Sequence, residues 1–263
     1  MTVLVRRRTI DGSSRPPAGA FSRYAVARGL IPRAVYQTFG IYCVDTIDRV
    51  WALTYDDGPD PASTPRVLDV LRRHRAVATF FVLSGAAERH PEIVRRIVDE
   101  GHELALHGVD HQPLLTLTTK AAITRIRASR DILEQLTGRR VTLYRPPHGD
   151  VTPAQKRAIY RLGLRVVIWS GHASDWIDAP EVEVAERAVR AIFPGSVQLM
   201  HDARADPANL EPGELLPTFD RGEVLERILA QTRAAGYREL AASELFARYP
   251  IVQSMSRVRM GPT

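Results

Sequence analysis

From residue 50 onward the chain alternates two hydrophobic patterns. Short apolar, β-rich runs at 50–55, 77–82, 103–107, 142–145, 165–169 and 197–201 are followed by longer helical stretches. These stretches cover 65–74, 91–100, 119–137, 153–162, 180–192 and 222–235. In 119–137 the helical spacing is carried by Ile126, Leu133 and Leu136, and Gly138 ends the run. A last strand at 238–240 leads into a short helix near Ser243. Strands alternating with helices predict parallel βαβ units and an α/β fold. About seven such units fit a closed or nearly closed (β/α) barrel better than a two-domain enzyme.

The first 50 residues break this pattern. The stretch SSRPPAGA and its flanks, roughly residues 1–20, read as a flexible arm. Arg6–Arg8 interrupts the only apolar start, so no leader is expected. The uncharged run Ala34 to Val44 is eleven residues, short of the ~20 needed for a membrane-spanning helix. A cytoplasmic protein follows as the expectation. Hydrophobic residues at 44% and charged residues at 25% exclude wholesale disorder. The single cysteine, Cys43, excludes an intrachain disulfide and a Cys-rich zinc module, and it reads as a buried small side chain.

The net charge of +6 points toward a polyanion until it is sorted by position. Residues 1–50 carry +5, residues 254–263 carry +2, and the body between them carries −1. With no nucleic-acid motif in that near-neutral body, no nucleic-acid partner is expected. The arm is left as a weak tether to an anionic membrane surface, so the protein is expected to be at most membrane-peripheral.

The polar residues with chemical potential gather at strand ends. Asp56 and Asp57 follow the first run, His107 and His111 the third, Arg145 the fourth, Asp175 the fifth, and His201 with Asp202 the sixth. In a parallel barrel these positions share the C-terminal face, where such folds build their sites. Asp56-Asp57-Gly58-Pro59 is a tight turn with two adjacent carboxylates. His107 and His111, at i and i+4, can aim both rings at one centre, and two imidazoles plus a carboxylate suit Zn²⁺ or a similar ion. Gly108 stands where a zincin motif needs Glu, so that reading fails. Spacing alone leaves open which Asp binds metal and which moves protons.

TYDDGPDP, HGVDH, RPPHG, SDW and LMHD, in this order, resemble the polysaccharide deacetylase family (NodB-homology domain, carbohydrate esterase family 4) over about residues 48–246. The resemblance implies a distorted (β/α) barrel and metal-assisted removal of an N-acyl group, usually acetyl, from an amino sugar. It implies Asp56 as general base, oriented by Arg145. It implies Asp57, His107 and His111 as ligands of a divalent ion, Zn²⁺ first and Co²⁺ second. His201 becomes the general acid, with Asp175 as its partner. Trp176 and Leu199 would line the acyl pocket, and the backbone N–H of His148 would serve the oxyanion. The expected partner is a carbohydrate containing N-acetylglucosamine. The alternative keeps the fold and changes the amide: a lipid-linked or small acylated sugar, or a cyclic imide or ureide.

The expected organisation is a basic lead-in over 1–47, a catalytic domain over 48–250 and a tail over 251–263. Three positions depart from the family pattern: Gly108 replaces a Ser or Thr that braces the metal loop, His148 replaces a Tyr, and Tyr55 a Phe. The segment 203–217 reads either as a specificity loop beside His201 or as a solvated insertion. His102 is expected to be structural, His74 and His90 solvated, and His172 has no assigned role.

Overall fold

The computed structural model describes residues 2–11, 15–26, 37–203 and 216–255. Its centre is a curled parallel sheet of seven strands in the order β7-β6-β5-β4-β3-β9-β8. These are β3 (Val50–Asp56), β4 (Thr79–Leu83), β5 (Glu103–Gly108), β6 (Leu143–Tyr144), β7 (Arg165–Val166), β8 (Gly171–His172) and β9 (Val197–His201). A short β10 (Arg238–Glu239) pairs in parallel with the start of β3. The helices are α1 (Thr64–His74), α2 (Ser84–Arg89), α3 (Pro91–Asp99), α4 (Thr119–Thr137), α5 (Pro153–Arg161), α6 (Glu181–Ala191), α7 (Arg221–Ala234) and α8 (Ala242–Arg248). The distorted barrel is thus the observed fold.

Local chemistry explains the helix ends. Thr118 caps α4 by accepting from Ala121 N, and Gly138 closes it with a positive φ of 64°. Thr152 and Gln155 form a reciprocal capping box at α5, and the Asp220 side chain caps α7.

The two faces of each strand enter different cores. On β3, Trp51, Leu53 and Tyr55 point outward into the main core with the helices. Val50 and Ala52 point inward, into a second cluster with Phe81, Ala105, Leu143, Val167 and Val197. Leu245 and Phe246 of α8 belong to the same cluster, so the last helix plugs the barrel floor. Continuing the inward phase toward the C-terminal ends of the strands leads to Asp56, His107, Arg145 and His201.

Residues 1–20 differ from the expected flexible arm over their described part. β1 (Thr2–Leu4) pairs in parallel with β11 (Ile251–Ser254), which pairs antiparallel with β2 (Gly40–Val44). Val3, Val5, Ile10 and Phe21 are buried in the main core. β2 in turn occupies the opening of the barrel, bridging Val167 through Ile41 and Ser196 through Cys43. Cys43 is fully buried, and burial pushes its thiol pKa up. No helix among the described residues is long and apolar enough to cross a membrane. Most of the 203–217 segment lies outside the described residues.

Candidate active site

The end of β3 delivers Asp56 in strand geometry, after which the chain turns through Asp57 with φ 79°. That turn is held from across the barrel. Asp202 Oδ1 accepts from Gly58 N at 3.1 Å and Oδ2 accepts from the Thr64 hydroxyl at 2.6 Å, while Ser63 donates to the Asp202 carbonyl. A Cβ on Gly58 would lie 2.2 Å from Asp202 Oδ2, so glycine is what lets the two loops meet. Asp202 is 1% exposed, and burial pushes its carboxyl up to about 7. Asp202→Ala would strip two buried donors of their acceptor, at a cost of about 2–4 kcal/mol. Calorimetry should show Tm lower by roughly 5–15 °C; an unchanged Tm would remove this role.

Asp57, His107 and His111 converge. Asp57 Oδ1 lies 3.3 Å from His107 Nε2 and 3.5 Å from His111 Nε2, and the three candidate donor atoms lie within 4.8 Å of one another. His107 Nδ1 is 2.8 Å from the Arg145 carbonyl, to which it donates, so Nε2 is the nitrogen turned toward Asp57 and Asp56. Burial and the neighbouring His107 push His111 down to about 3, so its ring is neutral. Burial opposes a charged Asp57, yet the bond to His107 and the field of His201 hold its carboxyl well below the usual range. One anionic oxygen and two imidazole nitrogens converging within 4.8 Å, with the outer nitrogen of His107 already bonded, fit a divalent ion.

The brace that Gly108 cannot supply comes from another element. The Ser129 hydroxyl of α4 donates to the Gly108 carbonyl at 2.9 Å and accepts from the Ser84 hydroxyl at 2.5 Å. Gly108 itself has φ 129°, a conformation that L side chains rarely adopt.

On one flank Arg145 Nη1 donates to Asp56 Oδ1 at 2.6 Å and to Thr54 Oγ1 at 2.8 Å, and Nη2 donates to the Ile168 carbonyl at 3.2 Å. The fully buried guanidinium stacks on Phe81, 4.0 Å from the ring centroid. Asp56 Oδ2 is 3.8 Å from His107 Nε2, which puts this carboxylate beside the three-residue cluster.

On the opposite flank Asp175 holds His201 twice, at 2.9 Å to Nδ1 and 2.7 Å to the backbone N. Burial disfavours the imidazolium, but Asp175 outweighs it and holds His201 up to about 9. Arg221 donates to Asp175 Oδ2 at 3.3 Å and to the His201 carbonyl at 2.7 Å, tying α7 to the pair. Trp176 stands edge-on to His201 at 5.8 Å, and the His148 ring lies 4.6 Å from that of His111.

Asp56, the Asp57–His107–His111 cluster, His148, Trp176 and His201 open on one cleft of about 460 Å³ with Leu199 in its wall, and Arg145 and Asp175 support it from behind. His172 and Arg7 also line it, and with Asp202, Arg221 and Thr54 they are contributors that motif reading left without a role. Asp202 stood in LMHD without an assignment; Arg221 and Arg7 lie far along the chain from any motif. His102 packs on Phe80 at 5.7 Å, away from the cleft.

A parallel barrel with an Asp–His–His cluster between an Asp–Arg pair and an Asp–His pair defines a metal-site hydrolase architecture. The family model described as polysaccharide deacetylase matches residues 44–167. The peptidoglycan-N-acetylmuramic acid deacetylase PdaC of Bacillus subtilis is 35% identical over 68% of this chain, which spans 38% of that relative's length. A peptidoglycan-N-acetylglucosamine deacetylase of Bacillus cereus is 30% identical over 75% of this chain and 88% of its own. The solved Bc1960 peptidoglycan N-acetylglucosamine deacetylase superposes with a TM-score of 0.71 at 28% identity, covering 82% of this chain and 97% of that one. The chain belongs to the polysaccharide deacetylase family.

Proposed function

We propose that the chain is a metal-dependent hydrolase that removes an N-acetyl, or a similar N-acyl, group from an amino sugar in a glycan containing N-acetylglucosamine. One observation carries the reading: a base-type carboxylate, a three-donor cluster and an acid-type imidazole face one cleft from different strand ends. The relatives act on peptidoglycan sugars by their names, which supports the substrate class. The catalytic unit in this reading is 48–250, flanked by 1–47 and 251–263. A cytoplasmic or membrane-peripheral location belongs to the same proposal and is read by cell fractionation.

Asp57, His107 and His111 would hold the ion, with Zn²⁺ the first candidate and Co²⁺ the second. When bound, it supplies Lewis acidity toward the acyl oxygen and lowers the pKa of water. The residues then divide the proton work. Asp56, fixed by Arg145, takes the proton of the attacking water. His201, kept protonated by Asp175, delivers a proton to the departing sugar amine, without which an amine is a poor leaving group. Trp176 and Leu199 offer apolar surface to the acyl methyl. The backbone N–H of His148, on a turn with φ 59°, is the proposed donor to the developing oxyanion.

Chelation should abolish acetate release from N-acetylglucosamine oligomers, and added Zn²⁺ or Co²⁺ should restore it. Acetate release that survives exhaustive chelation, with no metal detected in the protein, would refute the metal assignment. A panel of polymeric, lipid-linked and monomeric N-acyl sugars sorts the substrates.

A further inference from the structure

We propose that Arg7, together with His172 and Trp176, forms a subsite for an anionic group on the glycan, so that the preferred substrate carries a carboxylate or phosphoryl substituent close to the acylated amine. This deepens the deacetylase reading and rests on it.

Among the described residues, the cations lining the cleft that stay charged at any working pH are Arg7 and Arg221. Arg221 is committed to Asp175 and the His201 carbonyl. Arg7 has no part in the acid–base chemistry, yet it is held in place. β1 is anchored on β11, Ile10 is buried, and the guanidinium lies 4.4 Å over the Tyr42 ring. Its contacts to Asp11, at 3.0 and 3.2 Å, both use Nε, and it also hydrogen-bonds the Tyr42 side chain, which leaves part of its five N–H donors for a ligand. The side chain is 27% exposed. A planar cation, stacked and partly desolvated, is pre-organised for the oxygens of a carboxylate or phosphate.

Its position says which part of the substrate it meets. Arg7 and His172 line the same cleft, where burial and the Arg7 charge both disfavour a proton on the His172 ring. The His172 ring lies 5.2 Å from Trp176, which stands 5.8 Å from His201. The wall therefore runs from Arg7 through His172 and Trp176 to the imidazole that meets the leaving amine. That amine stays on the sugar, so the sugar and its substituents lie along this wall.

The test compares kcat/KM for three oligomers: neutral N-acetylglucosamine, one alternating with a carboxylate-bearing amino sugar, and one bearing phosphoryl groups. The wild type should favour at least one anionic oligomer, and which of the two identifies the source of the charge. Arg7→Gln should reduce the anionic-to-neutral ratio about 10-fold or more, the scale of a lost charge-assisted contact. Asp11→Asn, which keeps Arg7 and removes its counter-charge, should raise the ratio. A ratio is unmoved by a general loss of stability, so an unchanged ratio in both variants overturns the subsite. So does a wild type with no anionic preference. Failure to release acetate from any oligomer would instead strike the deacetylase reading itself.

Discussion

Asp175→Asn should lower kcat/KM about 10²-fold at pH 8 and move the basic limb of its pH profile down by roughly two units. His201 must carry a proton to serve as acid, and burial alone would strip that proton off. Asp175, 2.9 Å from Nδ1, reverses the balance and holds the pKa up to about 9. An amide in its place keeps the shape and gives up the charge, so His201 falls toward or below its ordinary 6.5. At pH 8 the variant is then mostly in the unprotonated form, whereas the wild type is mostly charged. The same shift has a stability counterpart. A His raised on folding stabilises fully below about 6.5, and this contribution is lost as pH rises through about 9. Thermal melts from pH 6 to 10 should show this decline in the wild type and a flatter curve in the variant. A basic limb that stays in place in Asp175→Asn would dissolve the pairing.

The motifs were legible because a parallel barrel puts strand ends together, so five short polar insertions after apolar runs already described one face. Which side of each strand faced inward was hidden. β3 is buried on both faces, so Trp51, Leu53 and Tyr55 look no different in sequence from Val50, Ala52 and Thr54. The structure assigns the phase, and with it the reason Asp56 faces Arg145 instead of the helices. The amino-terminal segment was misread for a different reason. β1 is three residues long and finds its hydrogen bonds on β11 at the other end of the chain, a pairing no local pattern announces. Its arginines therefore read as part of a flexible basic arm suited to an anionic surface, although Arg7 stacks on Tyr42 and reaches the cleft. Arg221 and Asp202 escaped for a related reason: each acts by bonding to a loop brought near only by the closed fold.

Asp57→Ala and Asp56→Asn should both cost about 10³-fold or more in kcat, but only the first should cost the metal. Spacing could not separate these neighbours, and their surroundings do. Asp57 Oδ1 sits 3.3 and 3.5 Å from the two imidazole Nε2 atoms, so its loss leaves two neutral donors and removes the anionic one. Asp56 gives Oδ1 to Arg145 at 2.6 Å, and Oδ2 stays 3.8 Å from His107, within reach of the cleft but farther from the cluster. Asn at 56 preserves the volume and one acceptor, so the fold and the ion site should survive while proton abstraction fails. Metal content by mass spectrometry, with Zn²⁺ affinity by calorimetry, separates the two losses. Zinc retained at full affinity in Asp57→Ala, or lost in Asp56→Asn, would exchange or erase the roles. If both variants keep zinc and turnover, the chemistry does not run through this pair, and the convergence of β3, β5 and β9 on one cleft needs another explanation.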